Sequence, residues 1–264
     1  MIDLHCHLLP GIDDGATDLD DALAMARVAC EDGVTTLACT PHIYPGLYNN
    51  TAEIIHDGVA RLREQLAQAD IPLALTAGAD AQLTPNMLEQ LQTGRIPTLA
   101  GSRYFLFEPP HHVAPPRMAE VIFAILAAGF VPVITHPERL TWIEDRYETI
   151  CEVFEAGAWI QLTAGSVTGL FGRRAQYWSD RMLDEGRVHI LASDGHNLRR
   201  RRPVLSEARE RVADRLGRQA ALDMVSVRPQ GVLLDQPAAT MPALAHASPR
   251  PEKPGRRRWF GGFR

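Results

Sequence analysis

The chain is poor in features that would tie it to an oxidising compartment or a membrane. Its four cysteines, Cys6, Cys30, Cys39 and Cys151, show no C-x-x-C spacing, so neither a disulfide framework nor a thiolate metal cluster is expected. No apolar run approaches transmembrane length. The first residues lack a basic n-region followed by an apolar h-region, so no secretory signal is expected and the cytoplasm is the expected compartment. Positive charge is also short over most of the length. The net charge is −5, yet Arg250, Lys253, Arg256, Arg257, Arg258 and Arg264 against Glu252 make the stretch from Pro249 to Arg264 net +5, leaving −10 on residues 1–248. A body that acidic is a poor binder of nucleic acid, whose recognition leans on clustered Lys and Arg against phosphates.

What is present is an alternation. With 264 residues, one enzyme-sized domain is the default. Apolar strand-like runs begin at Ile2, Thr35, Leu73, Tyr104, Val131, Trp159 and Val188. Between them, apolar residues at helical spacing predict helices: one after Thr17 or Asp18, then about 51–69, 85–92, 118–128, 143–156 and 174–185, with two more near 205–216 and 218–225. Seven strands alternating with helices imply a parallel sheet with right-handed crossovers, closed or nearly closed into a (β/α) barrel. From Pro237 the chain is rich in Pro, Ala and Arg without period, so residues 1–236 are expected to form the domain and 237–264 a mobile basic tail.

The chemistry-bearing residues recur at one place in each unit. His5 and His7 close the first strand and share a face because side chains alternate. An acidic pair, Asp13 and Asp14, follows in a turn built from Pro10, Gly11 and Gly15. His42 follows the second strand, Asp80 the third, Glu108 the fourth, His136 the fifth, and Asp194 with His196 the seventh. In a parallel barrel these ends open on one face, where barrel enzymes place their active sites. Any one of these residues could be an ordinary loop polar group; their recurrence argues for a site. Imidazoles and carboxylates without thiolates suit manganese or iron, and their number exceeds what one ion needs, so two or three ions are expected. Such a cluster makes hydroxide from water near neutral pH and neutralises charge on a phosphoryl group. Beside it lie Arg139 and the run Arg199 to Arg202, of which one or two need face the site, guanidinium forks being suited to phosphate oxygens.

The stretches His5-Cys6-His7-Leu8-Leu9-Pro10-Gly11-Ile12-Asp13-Asp14-Gly15, Thr40-Pro41-His42, Thr135-His136-Pro137-Glu138-Arg139 and Ser193-Asp194-Gly195-His196-Asn197 resemble the polymerase-and-histidinol-phosphatase (PHP) superfamily. Within it they are most similar to the bacterial manganese-dependent protein-tyrosine phosphatases of capsule and exopolysaccharide loci, over roughly residues 1–235. The resemblance implies a distorted seven-stranded TIM-like barrel and three ions. One would be held by His5, His7, Asp80 and Asp194, a second by Asp80, Glu108 and His136, and a third by Asp14, His42 and His196, with Arg139 and Arg202 on the phosphate. It also implies a partner, an autophosphorylating bacterial tyrosine kinase that this enzyme would reset. The bridging position after the third strand is usually Glu in that family and is Asp80 here, one methylene shorter.

A cysteine-dependent phosphatase would need an arginine six residues after its nucleophile, and counting from the four cysteines lands on Ile12, Thr36, Pro45 and Gly157. Direct attack by metal-bound hydroxide is therefore the expected mechanism. The competing readings are a small-metabolite phosphatase of the histidinol-phosphate kind and a metal-bound scaffold without turnover. The tail, with Arg256-Arg257-Arg258 beside Trp259, Phe260 and Phe263, suits peripheral attachment to an anionic membrane.

Overall fold

Each of the seven predicted strands is present in the computed structural model, which describes residues 1–247; the basic stretch from Pro249 and its suggested membrane role lie outside the described residues. The strands are β1 (Ile2–Cys6), β2 (Thr36–Cys39), β3 (His42–Ile43), β4 (Ala74–Ala77), β5 (Asp80–Gln82), β6 (Tyr104–Glu108), β7 (Val131–Thr135), β8 (Trp159–Thr163) and β9 (Ile190–Ala192). All their pairings are parallel, in one sheet ordered β1-β2-β4 and another ordered β3-β5-β6-β7-β8-β9. The nine segments make seven staves because two staves are broken. β3 resumes β2 after Thr40-Pro41, and β5 resumes β4 after Gly78-Ala79. Gly78 N to Cys39 O and Asp80 N to Pro41 O, both 3.1 Å, carry the ladder across the breaks. A Cβ on Gly78 would lie 2.8 Å from Leu99 Cδ2, so the close approach there favours glycine. The barrel closes between its first and last strands, where Asp194 N donates to His5 O (2.9 Å) and His7 N to Gly195 O (2.8 Å).

Alternation sorts the interior into an apolar half and a polar half. Tyr104 and Leu106 of β6, Val133 of β7, Trp159 of β8 and Ile190 of β9 form one buried cluster with Ile2 and Leu4 of β1. Two residues further along the same inward rows stand Glu108, Thr135 and Gln161. In β1 the row is shifted by a bulge: Asp3 pairs with Leu37 and Cys6 with Cys39, so three steps on one strand match two on the other. The extra residue lets Leu4 and His5 both serve the interior, with Cys6 turned into the outer core and His7 inward again.

Around the barrel pack α1 (Leu19–Glu31), α2 (Ala52–Gln68), α3 (Met87–Gln92), α4 (Met118–Ala127), α5 (Tyr147–Ala156), α6 (Ala164–Thr168), α7 (Arg173–Asp184), α8 (Ser206–Leu216), α9 (Arg218–Leu222) and α10 (Arg228–Leu233). Asp18 caps α1 by accepting from Asp21 N (2.9 Å), and Thr51 caps α2. α5 starts four residues later than its apolar pattern predicts, since Trp142 and Ile143 are spent on turns. The short α6 is not among the predicted helices. The last predicted helix runs on through a π turn, Asp223–Val227, into α10, which seats Val232 against the apolar end of the barrel.

Residues 237–247, assigned by composition to the tail, run along the body. The buried Arg228 draws them in, donating to Pro242 O (3.3 Å), Ala243 O (2.8 Å) and His189 O (3.0 Å). Ala247 N donates to Asp184 O (3.2 Å). Among the described residues, no helix is long and apolar enough to cross a membrane.

Candidate metal centre

The loop after β1 folds back because glycine lets it. A Cβ on Gly15 would lie 2.1 Å from the His7 carbonyl oxygen, so only glycine passes there. Ala16 N donates to that oxygen (3.1 Å) and Gly15 N to Asp13 Oδ1 (2.9 Å). Asp13 Oδ2 is thereby brought to His7 Nδ1 (2.7 Å) and accepts from His42 N (3.1 Å). Asn50 Nδ2 ties the same loop to β3 through Ile12 O (3.0 Å) and His42 O (2.8 Å).

His5 and His7 face each other, Nε2 to Nε2, at 3.1 Å. On their far sides His5 Nδ1 meets Gln161 Oε1 (2.9 Å) and His7 Nδ1 meets Asp13 Oδ2. Both far partners are acceptors, so each Nδ1 carries a proton and each Nε2 presents a lone pair. Those lone pairs look at carboxylate oxygens: Asp80 Oδ2 and Asp194 Oδ1 are each 3.5 Å from His5 Nε2, and Asp194 Oδ1 is also 3.5 Å from His7 Nε2. Four acceptors converging in a buried site demand positive charge between them. A proton on His7 can supply some of it: burial opposes that proton, but Asp13 and Asp194 push the imidazole up to about 10. Divalent ions supply it more fully, and the donor set of nitrogen and oxygen without sulfur fits them.

Three groups of atoms are spaced for ions: His5, His7 and Asp80; His42, Asp80 and Glu108; and His7, Asp14, His42 and His196. Asp80 is the hub, its Oδ2 lying 3.5 Å from His5, 3.6 Å from His42 and 3.8 Å from His136. The shorter side chain therefore still reaches three imidazoles. Asp80 Oδ2, His42 Nδ1, Glu108 Oε2 and His196 Nε2 are buried without a hydrogen-bond partner, as expected of atoms meant for a metal rather than for hydrogen bonds. Burial works against the charge on Asp80, but His5, His136 and His42 hold its carboxyl well below the usual range. Burial keeps His5 and His196 down at about 4, hence neutral and able to ligate. His136 and Asp194 stand at φ 37° and 51°, left-handed positions for residues with a Cβ, which aim their side chains back over the barrel mouth at a cost of about 1–3 kcal/mol each.

The predicted ligands thus gather at one end of the barrel, but the groups differ from the expected sets: Asp194 falls outside the first, 3.5 Å from His5 and His7, and His7 joins the third. His42 lies between the second and third groups, and His136 stands at the edge of the second. Of the predicted phosphate-holding pair, Arg139 donates to Asp194 Oδ2 and stacks over Phe171 at 4.9 Å. Arg202 does not reach the cluster; it is exposed, and Arg201 takes that place, donating to both oxygens of Asp194 at 2.8 Å. The cause is a tight turn in which His196 N donates to Arg201 O (2.7 Å), which turns residue 201 inward and 202 away. Burial opposes the charge on Asp194 too, and Arg201 leads the groups that hold it ionised. Residues not singled out from the sequence support the ligands: Gln161 behind His5, Thr135 donating to Asp80 Oδ1 (3.2 Å), and the buried Asp3, which accepts from Ser193 N (3.0 Å) beside Asp194. Glu138 is buried and accepts from Thr163 N (3.0 Å), holding its loop rather than facing the cluster.

This geometry has counterparts. The tyrosine-protein phosphatase YwqE of Bacillus subtilis (strain 168) is 37% identical over 210 residues, 79% of this chain and 82% of the relative. The tyrosine-protein phosphatase CpsB of Streptococcus pneumoniae is 30% identical over 241 residues, 89% of this chain and 99% of the relative. A crystal structure from the work on YwqE and CpsB, described there as unique metal-dependent tyrosine phosphatases, superposes with a TM-score of 0.87 at 30% identity, covering 95% of this chain and all of that one. Dihydropyrimidinase from Brevibacillus agri NCHU1002, at 13% identity and a TM-score of 0.52 over 94% of this chain and 73% of that one, shares the fold alone. Residues 1–234 match the family described as capsular polysaccharide synthesis, CpsB/CapC, and the chain belongs to that family.

Proposed function

We propose that this chain is a metal-dependent protein-tyrosine phosphatase, working in the cytoplasm on the phosphotyrosines of a bacterial tyrosine kinase that regulates capsule or exopolysaccharide synthesis. The observation that carries the reading is the set of buried, unpartnered nitrogen and carboxylate atoms at the barrel mouth, supported by relatives named tyrosine-protein phosphatases. We assign His5, His7, Asp80 and Asp194 to one ion, Asp80, Glu108 and His136 with His42 beside them to a second, and Asp14, His42 and His196 to a third. Manganese is the proposed metal. Bound divalent ions would supply Lewis acidity, lowering the pKa of water and offsetting charge on a phosphoryl group.

The chain's own residues do the rest. Gln161 and Asp13 fix the Nδ1–H tautomers of His5 and His7, which keeps both Nε2 atoms directed at the centre. Thr135 orients Asp80. Arg139 and Arg201 are the guanidinium groups at the rim, and phosphate oxygens compete with Asp194 for their N–H donors. The leaving group is a phenolate with a parent pKa of about 10, so departure needs no strong acid. A thiol nucleophile is unsuited: Cys6 is buried in the outer core, and burial, then Asp3, raises its thiol well above the ordinary value.

Hydrolysis of a phosphotyrosine peptide and of histidinol phosphate, before and after chelation and with Mn²⁺ or Fe²⁺ restored, tests this reading. The expected result is peptide hydrolysis that disappears with the metal and returns best with Mn²⁺. Full activity in metal-free protein, or activity confined to histidinol phosphate, refutes it.

A further inference from the structure

Beside the metal centre a cavity of about 460 Å³ opens between the turn joining α6 to α7 and the segment after β9. Arg199, Arg200, Arg201 and Arg202 line one side, and Leu170 and Phe171 the other. The floor is low because its residues are small: Ala164, Gly165 and Ala208. A Cβ on Gly165 would lie 3.0 Å from the Phe171 ring, so this glycine leaves room for the ring. Arg201 is common to the cavity and to the metal centre, where it holds Asp194. Arg201 therefore stands on the border between the two spaces.

The arginine run is presented by a rigid turn. Asn197 Oδ1 accepts from the backbone N–H groups of Arg199 and Arg200 (3.0 Å each) and of Arg201 (3.3 Å). Among the described residues Arg199, Arg200 and Arg202 form no ion pair, and a single carboxylate, Glu207, lines the cavity with them. Three uncommitted guanidinium groups beside one carboxylate make this cleft positive on a body that is otherwise net negative. Leu170, 59% exposed, adds an apolar lip.

Resting on the phosphatase reading, we propose that this cleft is a specificity subsite: it binds an anionic side chain, carboxylate or second phosphate, that flanks the phosphotyrosine on the same peptide. Guanidinium forks match both anions, and fixing the turn in advance lowers the ordering cost of capture. An extended peptide advances about 3.3–3.6 Å per residue, and Arg199, Arg200 and Arg202 flank Arg201 in the same turn, so the anionic side chain is expected one to three positions from the reacting tyrosine. Leu170 and Phe171 cover the apolar part of that segment.

The test compares three peptides, each with one central phosphotyrosine, flanked by neutral residues, by Glu, or by a second phosphotyrosine, on the full chain and on its Arg199→Ala/Arg200→Ala variant. The wild type is expected to prefer both anionic peptides by about tenfold in kcat/KM, the scale of two exposed charge contacts. The preference should lie in KM, weaken with salt and vanish in the variant, while hydrolysis of a small aryl phosphate is unchanged. Preference for one anionic flank alone identifies which anion the cleft takes. No preference in the wild type, or an equal preference in the variant, overturns the proposal. Should no peptide be hydrolysed, the phosphatase reading fails, and anisotropy of a labelled Glu-rich peptide lacking phosphotyrosine judges the cleft: tighter binding to wild type than to variant supports it, and equal binding overturns it. Variant binding that is lost for phosphatidylserine vesicles and unchanged for peptides assigns the cleft to lipid and overturns the proposal as well.

Discussion

Gly15→Ala isolates the geometry of the loop that carries Asp13 and Asp14. The new methyl carbon would stand 2.1 Å from the His7 carbonyl oxygen and 2.5 Å from His7 Cβ, against a practical limit of 3.0 Å, so the gap must widen by at least 0.9 Å. His7 is held by its own N–H on Gly195 O at 2.8 Å, and the loop is the part that yields. Moving it stretches Ala16 N to His7 O (3.1 Å) and His7 Nδ1 to Asp13 Oδ2 (2.7 Å) beyond bonding range. At about 1 kcal/mol for the neutral bond and about 2 for the charge-assisted one, the loss is about 3 kcal/mol, or roughly 6–12 °C in Tm for a domain of this size. A displacement of about 1 Å at catalytic groups costs about 100-fold in rate. Metal content by mass spectrometry, aryl phosphate turnover and thermal unfolding with and without Mn²⁺ measure the three effects. Wild-type metal content and turnover in the variant would refute the placement of this loop.

Asp80→Ala is expected to lose at least one ion and nearly all turnover, and Asp80→Glu to keep both, because the carboxylate is the hub among three imidazoles; an alanine variant with full metal and full rate would remove Asp80 from the site. Cys6→Ser should keep metal-dependent turnover, since the thiol lies in the outer core against Gly195 O; a folded, metal-loaded but inactive variant would contradict the metal mechanism. His189 carries a pH dependence of stability: burial and then Arg228 pull its pKa down to about 3, while the unfolded chain titrates near 6.5. The folded state thus excludes a proton that the unfolded state binds, so the stability is present above 6.5 and is lost as pH falls toward 3. Between pH 7.5 and 5.5 the loss is about 1.4 kcal/mol, and urea unfolding of wild type against His189→Gln should differ by that amount; identical pH slopes would show that His189 titrates freely.

The staves and the metal-type residues at their ends were legible because both follow from short-range rules: alternation along a strand, and the shared mouth of a parallel barrel. Pro41 and Gly78 even mark where two staves break. What escaped depends on distant parts. Four consecutive arginines look alike in a sequence, and only the bond from His196 N to Arg201 O selects residue 201 over 202. Gln161 sits in an apolar strand with nothing local to distinguish it; its partner is His5, 156 residues away. Of the two adjacent aspartates, nothing local distinguishes the one that turns toward His7, Asp13, from Asp14; the tightness of the turn at Gly15 sets it. Residues 237–247 look like tail by composition, yet their carbonyls answer a buried guanidinium at Arg228.

The joint between the first and last staves also fixes an order of events during synthesis. Asp3 finds its partner in Ser193, 190 residues on, and His7 finds its own in Gly195. A ribosome making roughly 5–20 residues per second therefore exposes β1 for roughly 10–40 seconds before β9 emerges to meet it. Through that interval the nascent chain holds His5 and His7 but neither Asp194 nor His196, so the complete set of proposed ligands exists only once the barrel can shut. A chain cut short before residue 190 lacks the closing strand and part of the ligand set together, which leaves a prematurely terminated product without the means to assemble the full centre.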